Sequence, residues 1–591
     1  MTRKVSTAGL AVLIGLNGCS TITDSPPPTA STPVVRTGEA ARPIVSQPTP
    51  LSPEAFADRC AGLLATDLAW PDASTVVTSA VIKPASAAVI VLPEHCEIVG
   101  AMARRTGAGG QTYQIGFHIR LPRDWNGRFL FQGGSGSNGE IGDALGGLAP
   151  GAPPALARGY AVVSQDSGHD NRTNTDPAKG GAVAFGFDPQ ARADYGGASL
   201  KSTTDVAKAA IRFVYEAEPS FSYFVGCSKG GQEGMAVAHR WPDAFDGVVA
   251  AAPGFALPRA AVAEAWDTQT FMALAPAGAT NAAALAATFS SADLALVRDA
   301  VLDACDDLDG VDDGLVAAFA QCTTARVRPK LDVRTCRDAE ADDCVTPAQI
   351  QALERSIGGP KTSAGKPLYS DWAWDAGIAA PGWRMWKLGD PSMRPPALNV
   401  ILGLPSLAAV FSTPPRGLGG MDEAIAYALA YDFDRDASAI YATDGDFRQS
   451  AWDMVSARSP DLDAFRARGG RMIVPHGVSD PVFSINDTLT WFGEVDSRTH
   501  GEADTFVRVF PVPGMNHCNG GPATDQFDAF TSLVAWVEKG TPPDAIVARS
   551  GDNTPWPGRT RPLCPYPAIA RYDGEGDIEA ASSFHCERPA A

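Results

Sequence analysis

Six short apolar runs, each stopping at a glycine, constrain this chain more than any other feature. They are GRFLFQGG (127–134), YAVVSQDSG (160–168), SYFVGCSKGG (222–231), DGVVAAAPG (246–254), RMIVPHG (471–477) and TFVRVFPVPG (505–514). Sheet strands end this way before a loop. Between them lie helical patterns such as TTDVAKAAIRFVYEAE (203–218), in which Val206, Ala210 and Phe213 are expected on one face. Strand–helix alternation with fully apolar strands implies an α/β fold, a mostly parallel sheet covered on both faces. QTYQIGFHIRLP (111–122) alternates apolar and polar residues instead and reads as an antiparallel edge strand. The alternation stops after Gly254 and resumes near Asp463. Residues 255–455 therefore read as a lid domain inserted over the C-terminal edge of the sheet, where open α/β sheets bind ligands. Residues 54–254 and 456–591 then make up the sheet domain, a division that 591 residues favour on length alone.

The N-terminus has a basic start (Arg3, Lys4), a short apolar run from Ala8 to Leu16 and small residues before Cys19, the pattern of a signal peptide over 1–19. Leu16-Asn17-Gly18-Cys19 resembles a lipoprotein cleavage box, with Cys19 as an outer-membrane lipid anchor. Ordinary cleavage nearby, giving a free periplasmic or secreted protein, is the alternative. Residues 20–53 are rich in Pro, Ser and Thr and read as a disordered tether. No later stretch is long and apolar enough to cross a membrane. A net charge of −19 argues against a nucleic-acid partner.

Gly226-Cys227-Ser228-Lys229-Gly230 matches G-x-S-x-G between a strand and a helix, the context of the nucleophile elbow of an α/β-hydrolase fold. A serine hydroxyl needs a base, and the base needs an orienting carboxylate. In this fold they follow in the order Ser, Asp, His. His517 lies in a Gly-flanked loop after strand 505–512, and Asp480 follows the strand RMIV by a short loop. His476 sits within a strand end and reads as structural. One oxyanion N–H is expected from Lys229 and the other from the loop Gly133-Gly134-Ser135-Gly136.

Of 11 cysteines, ten remain without Cys19, an even number that in an exported chain suggests five disulfides. Proximity suggests Cys60–Cys96, Cys305–Cys322, Cys336–Cys344 and Cys564–Cys586, although sequence alone does not fix pairing. The remaining Cys227 and Cys518 flank the candidate nucleophile and base, so a triad would bring them within disulfide range. The segment 305–315 concentrates five carboxylates and two glycines, which suits Ca²⁺ without the spacing of an EF-hand.

The chain resembles the tannase and feruloyl esterase family from about Cys60 to Cys586. The marks are LPEHCE (92–97), GRFLFQGGSGSNG (127–139), FGFDPQAR (185–192), GCSKGGQEGM (226–235), CDDLDGVDDG (305–314), PLYSDWAWDAG (367–377), VPGMNHCNGGP (512–522) and TRPLCPYPAIARY (560–572). The resemblance implies a serine esterase with triad Ser228, Asp480 and His517, the Cys227–Cys518 bridge, and oxyanion donors on Gly136 and Lys229. It implies structural calcium on the side chains of Asp306, Asp309 and Asp313 and the carbonyls of Val311 and Leu315. Ser135, Trp386, Phe411 and Phe483 become candidate substrate contacts. The implied substrate is a small aromatic ester, a terephthalate monoester or, alternatively, a feruloyl, chlorogenate or gallate ester. Terephthalate recognition in this family uses a lid arginine. An ungapped reading back from Phe411 puts Leu398 at that place, and the nearest arginine is Arg394.

Overall fold

A computed structural model describes residues 50–589 except 66, 88–89, 148–151, 338–343 and 393. The leader, Cys19 and nearly all of the tether lie outside the described residues. The central sheet has nine strands: β1 (Val76–Lys83), β2 (His95–Thr106), β3 (Thr112–Pro122), β4 (Arg128–Gln132), β5 (Ala161–Gln165), β6 (Phe221–Cys227), β7 (Gly247–Ala251), β8 (Arg471–Gly477) and β9 (Val507–Val512). Their order is β1-β2-β3-β5-β4-β6-β7-β8-β9. The strands from β5 onward pair parallel, and β1, β2 and β3 pair antiparallel.

Two expectations need correction. Strand β3 is antiparallel as expected but is not at the edge, because β1 and β2 extend the sheet beyond it. In helix α1 (Ser199–Tyr215) the buried face carries Val206, Ala207, Ala210, Ile211 and Val214, whereas Phe213 is exposed. Val214 is the residue four after Ala210 and takes the inward position. Phe213 turns out to cover Gly62 of the N-terminal helix Pro53–Gly62.

Helix α2 (Lys229–Arg240) follows β6 directly, and α3 (Leu257–Met272) opens the long insertion between β7 and β8. Helices α4 (Ile485–Arg498) and α5 (Ala529–Lys539) follow β8 and β9. The insertion is helical and irregular, and among its described residues no strand of the central sheet occurs. The bridges Cys60–Cys96, Cys227–Cys518, Cys305–Cys322, Cys336–Cys344 and Cys564–Cys586 are all present, the five pairings expected. They fit an exported protein. No helix among the described residues is long and apolar enough to cross a membrane.

Candidate active site

Ser228 stands between β6 and α2 at φ 64°, ψ −120°. A side-chain residue held there is strained by on the order of 1–3 kcal/mol, a conformation that persists only when its surroundings enforce it. They do so through the two motif glycines. A Cβ on Gly226 would lie 2.5 Å from the Gly230 carbonyl carbon, and one on Gly230 would lie 2.7 Å from Gly134 O. The turn is therefore packed backbone to backbone against the Gly-rich loop.

Asp480 sits in the loop after β8 and is buried. Its Oδ1 accepts the N–H groups of Val482 (2.8 Å) and Phe483 (3.0 Å), and its Oδ2 lies 2.7 Å from His517 Nδ1. His476 Nε2 approaches the same oxygen at 3.4 Å. Burial opposes ionisation, yet the His517 charge and the bonds from His476 and His517 hold this carboxyl well below the usual carboxylate range. The imidazole of His517 meets Phe483 and Trp386 edge to face, with ring centroids 5.2 and 5.6 Å away. Its Nε2 is buried without a hydrogen-bond partner among the described residues, and His517 lines the same cavity of ≈ 270 Å³ as Ser228. The Cys227–Cys518 bridge, Cα–Cα 6.1 Å, ties the histidine loop to the elbow.

Ser135, Gly136, Lys229, Trp386, Phe411 and Phe483 line that cavity as well. Lys229 is the first residue of α2, so its N–H has no intrahelical acceptor. Gly136 has φ 54°, and a Cβ there would meet nothing within 4 Å. Both residues line the cavity with Ser228, which makes their N–H groups the candidate oxyanion donors.

A family profile described as tannase and feruloyl esterase matches residues 96–587. The chain belongs to that family. It is 44% identical over 552 residues to mono(2-hydroxyethyl) terephthalate hydrolase of Piscinibacter sakaiensis, covering 88% of this chain and 90% of that one. Feruloyl esterase B from Aspergillus oryzae superposes with TM-score 0.70 at 23% identity, covering 90% of this chain and all of that one. Tannin acyl hydrolase from Aspergillus niger does so with TM-score 0.65 at 20% identity, over 89% and 95%. These two structures share the α/β fold. As a member of the tannase and feruloyl esterase family, the chain is a carboxylic ester hydrolase.

Arg394 requires a correction: it is exposed and does not line the cavity, and neither does Leu398. Among the described residues that line the cavity, Lys229 is the one lysine or arginine. Its ammonium is buried, 2.9 Å from Glu233 and over the Tyr195 ring. Glu233 also accepts the Gly134 N–H (2.8 Å) and the Asn138 amide (2.9 Å). The Lys229 side chain therefore belongs to a buried network that fixes the Gly-rich loop, a role its place in the motif does not announce.

Sequence reasoning also missed Tyr195, Leu402, Ser406, Val482 and the α3 residues Leu257, Ala260, Ala261 and Glu264, all of which line the cavity. It missed Asp375, a buried carboxylate of the insertion that receives the Gly514 N–H at 3.1 Å and so steadies the histidine loop. His476 was read as structural. Its contact with Asp480, at the i, i+4 spacing of HGVSD, makes it a support of the candidate triad acid.

In the acidic loop, Asp306, Asp309 and Asp313 are buried. Asp306 accepts the N–H groups of Asp313 (3.2 Å) and Gly314 (2.9 Å), and Asp313 pairs with Arg561. Burial first, and then the charge of Asp313, pushes Asp309 up to about 8, and burial pushes Asp306 up to about 6. Among the described residues no three His, Cys, Asp or Glu side chains form a ready ligand set. The donor chemistry nonetheless suits a hard cation: oxygen donors only, with more buried negative charge than Arg561 offsets.

Proposed function

We propose that the protein hydrolyses esters of aromatic carboxylic acids through an acyl-enzyme on Ser228. The observation that carries the reading is the imidazole of His517, held by Asp480 through Nδ1 and unpartnered at Nε2, in a cavity walled by Trp386, Phe411 and Phe483. Nε2 takes the Ser228 proton as Oγ attacks the ester carbonyl, and the N–H groups of Gly136 and Lys229 hold the oxyanion. As the tetrahedral intermediate collapses, His517 returns the proton to the departing alcohol. The imidazole then removes a proton from water, which attacks the acyl-serine, and returns that proton to Ser228 Oγ as the second tetrahedral intermediate collapses and the acid is released.

The leading substrate is a terephthalate monoester such as mono(2-hydroxyethyl) terephthalate, supported by the 44% identity to an enzyme named for that reaction. The second reading, a feruloyl, chlorogenate or gallate ester, is favoured by the absence of an arginine from the residues lining the cavity. The test is kcat/KM of the purified enzyme for mono(2-hydroxyethyl) terephthalate against methyl ferulate. Faster turnover of the terephthalate ester supports the first reading, and the reverse moves the assignment to plant phenolic esters. Failure to hydrolyse either, alongside hydrolysis of an aliphatic ester, overturns the aromatic reading.

Structural calcium belongs to the same proposal. The side chains of Asp306, Asp309 and Asp313 and the carbonyls of Val311 and Leu315 would hold it. The ion would neutralise the buried carboxylates and play no part in the ester chemistry. Export through the leader at 1–19, with lipid attachment at Cys19, is the proposed route to the cell envelope.

A further inference from the structure

Leu257, Ala260, Ala261 and Glu264 stand at i, i+3, i+4 and i+7 of α3, and all four line the cavity. One face of this helix therefore forms its wall. The stripe begins beside the nucleophile, where Gly254 donates its N–H to Ser228 O at 3.1 Å and a Cβ on Gly254 would touch both Phe483 and Leu257. It ends seven residues on, roughly 10 Å along the axis at the helical rise, at the carboxyl of Glu264. That is the length scale of an aromatic acyl group attached to Ser228.

Glu264 is 7% exposed, and its side chain has no hydrogen-bond partner among the described residues. The lid leaves room for it, since a Cβ on Gly403 would collide with Oε2. The charged and titratable neighbours are accounted for. Lys387 pairs with Asp267, which also accepts the Ser356 hydroxyl at 2.6 Å. Lys229 pairs with Glu233, and Tyr195 closes another side of the cavity. Burial pushes the Glu264 carboxyl up to about 8 against the pull of Lys387, with the Asp267 charge adding to the rise. Near neutral pH the group is a neutral acid, with an O–H to donate and no protein acceptor to receive it.

We propose that Glu264 determines acyl specificity by donating its carboxyl O–H to an oxygen at the far end of the aromatic acyl group. This rests on the aromatic-ester reading and deepens it. The far-end oxygen belongs either to the free carboxylate of a terephthalate monoester or to a phenolic hydroxyl. The two sources respond oppositely to pH. Once Glu264 ionises it repels a carboxylate, whereas it still accepts a hydrogen bond from a phenol.

The experiment measures kcat/KM of the parent, Glu264→Gln and Glu264→Leu for two matched pairs of methyl esters, at pH values on either side of about 8. The pairs are monomethyl terephthalate with methyl benzoate, and methyl 4-hydroxycinnamate with methyl cinnamate. A buried charge-assisted or neutral hydrogen bond makes the parent prefer the oxygen-bearing member of at least one pair by about tenfold. That ratio is expected to collapse in Glu264→Leu and to persist in Glu264→Gln. If the preferred oxygen is the carboxylate, the parent's ratio falls as pH rises through about 8 while that of Glu264→Gln stays flat. If it is the phenol, the parent's ratio persists. Parent ratios retained by Glu264→Leu in both pairs overturn the proposal. Should that variant fail to fold, a Glu264→Gln terephthalate profile that follows the parent's in a carboxylate-preferring enzyme overturns it instead, as does a parent with no preference in either pair. Hydrolysis of all four esters with ratios insensitive to Glu264 rejects the role of Glu264 alone. Hydrolysis of none rejects the aromatic reading beneath it.

Discussion

Two buried carboxyls serve the cavity, Asp480 from behind His517 and Glu264 from its wall, and the two behave in opposite ways. Asp480, at the catalytic end, is surrounded by donors: two backbone N–H groups and two imidazoles. Glu264, at the far end, has none among the described residues, and Lys387, the cation that pulls on it, is engaged by Asp267. Burial raises both groups, but only Asp480 has the partners to reverse it. Depth in the protein therefore does not set the charge of either end. The local supply of donors does. A fixed negative charge suits the end where an imidazolium forms during reaction, and a neutral acid suits the end where an uncharged ring must be seated.

The same exchange of carboxyl for amide at the two ends tests that difference most severely after the nucleophile itself is removed. Ser228→Ala should lose on the order of 10⁶ in kcat. A phenylmethylsulfonyl adduct in the parent should map to Ser228, and an adduct on another serine would reject the elbow assignment. Asp480→Asn should lose about 10⁴ in kcat, because an amide stabilises neither the correct tautomer nor the imidazolium. An Asp480→Asn enzyme within tenfold of the parent in single-turnover esterolysis would mean that the carboxylate at this end does not orient the base.

What the sequence revealed divides along the same line as the cavity. The catalytic end was legible because its chemistry depends on a few backbone-driven signals: glycines at the elbow, strand–loop punctuation before Asp480 and His517, and cysteines flanking both partners. The far end was not, because it is assembled from elements distant in the chain. Glu264 looks like any polar position on an Ala-rich helix until the inserted segment carrying Leu402 and Gly403 folds against it. The same holds for Asp375, whose partner is 139 residues away. The antiparallel character of β3 was readable from its alternation, yet its interior place depended on β1 and β2, whose pairing no local pattern specified.

Effects on stability come next in size and separate the histidine loop from the acidic loop. Replacing Cys227 and Cys518 together with Ala should cost about 2–5 kcal/mol in denaturant unfolding. Activity should fall as well, since this bridge tethers the histidine loop to the elbow that carries Ser228. Free thiols titrating at both positions in the native enzyme would show that the bridge does not form. Calcium removal should act on stability alone. Chelation is expected to lower Tm, reversibly and in proportion to the logarithm of free calcium, because an ion that binds only the folded state stabilises it by mass action. The initial rate below the transition should change little. Calcium binding by an Asp306→Ala, Asp309→Ala variant that equals the parent's would remove the ion from this loop.

The smallest expected effect concerns Arg394, where a null result is informative. Its guanidinium is exposed, outside the residues that line the cavity. An arginine clamping a substrate carboxylate would contribute roughly 1.5–3 kcal/mol, about one to two powers of ten in kcat/KM. With the side chain in solvent, Arg394→Ala should leave kcat/KM for mono(2-hydroxyethyl) terephthalate within about twofold of the parent, since surface substitutions are worth only about 0.5 kcal/mol. The comparison with methyl ferulate sharpens the point, because a neutral acyl group cannot use the guanidinium in any arrangement. A tenfold loss confined to the terephthalate ester would mean that the segment carrying Arg394 moves onto the substrate when it binds. The far end of the cavity would then be cationic in the working enzyme, and its contrast with the catalytic end would rest on an arginine as well as on Glu264.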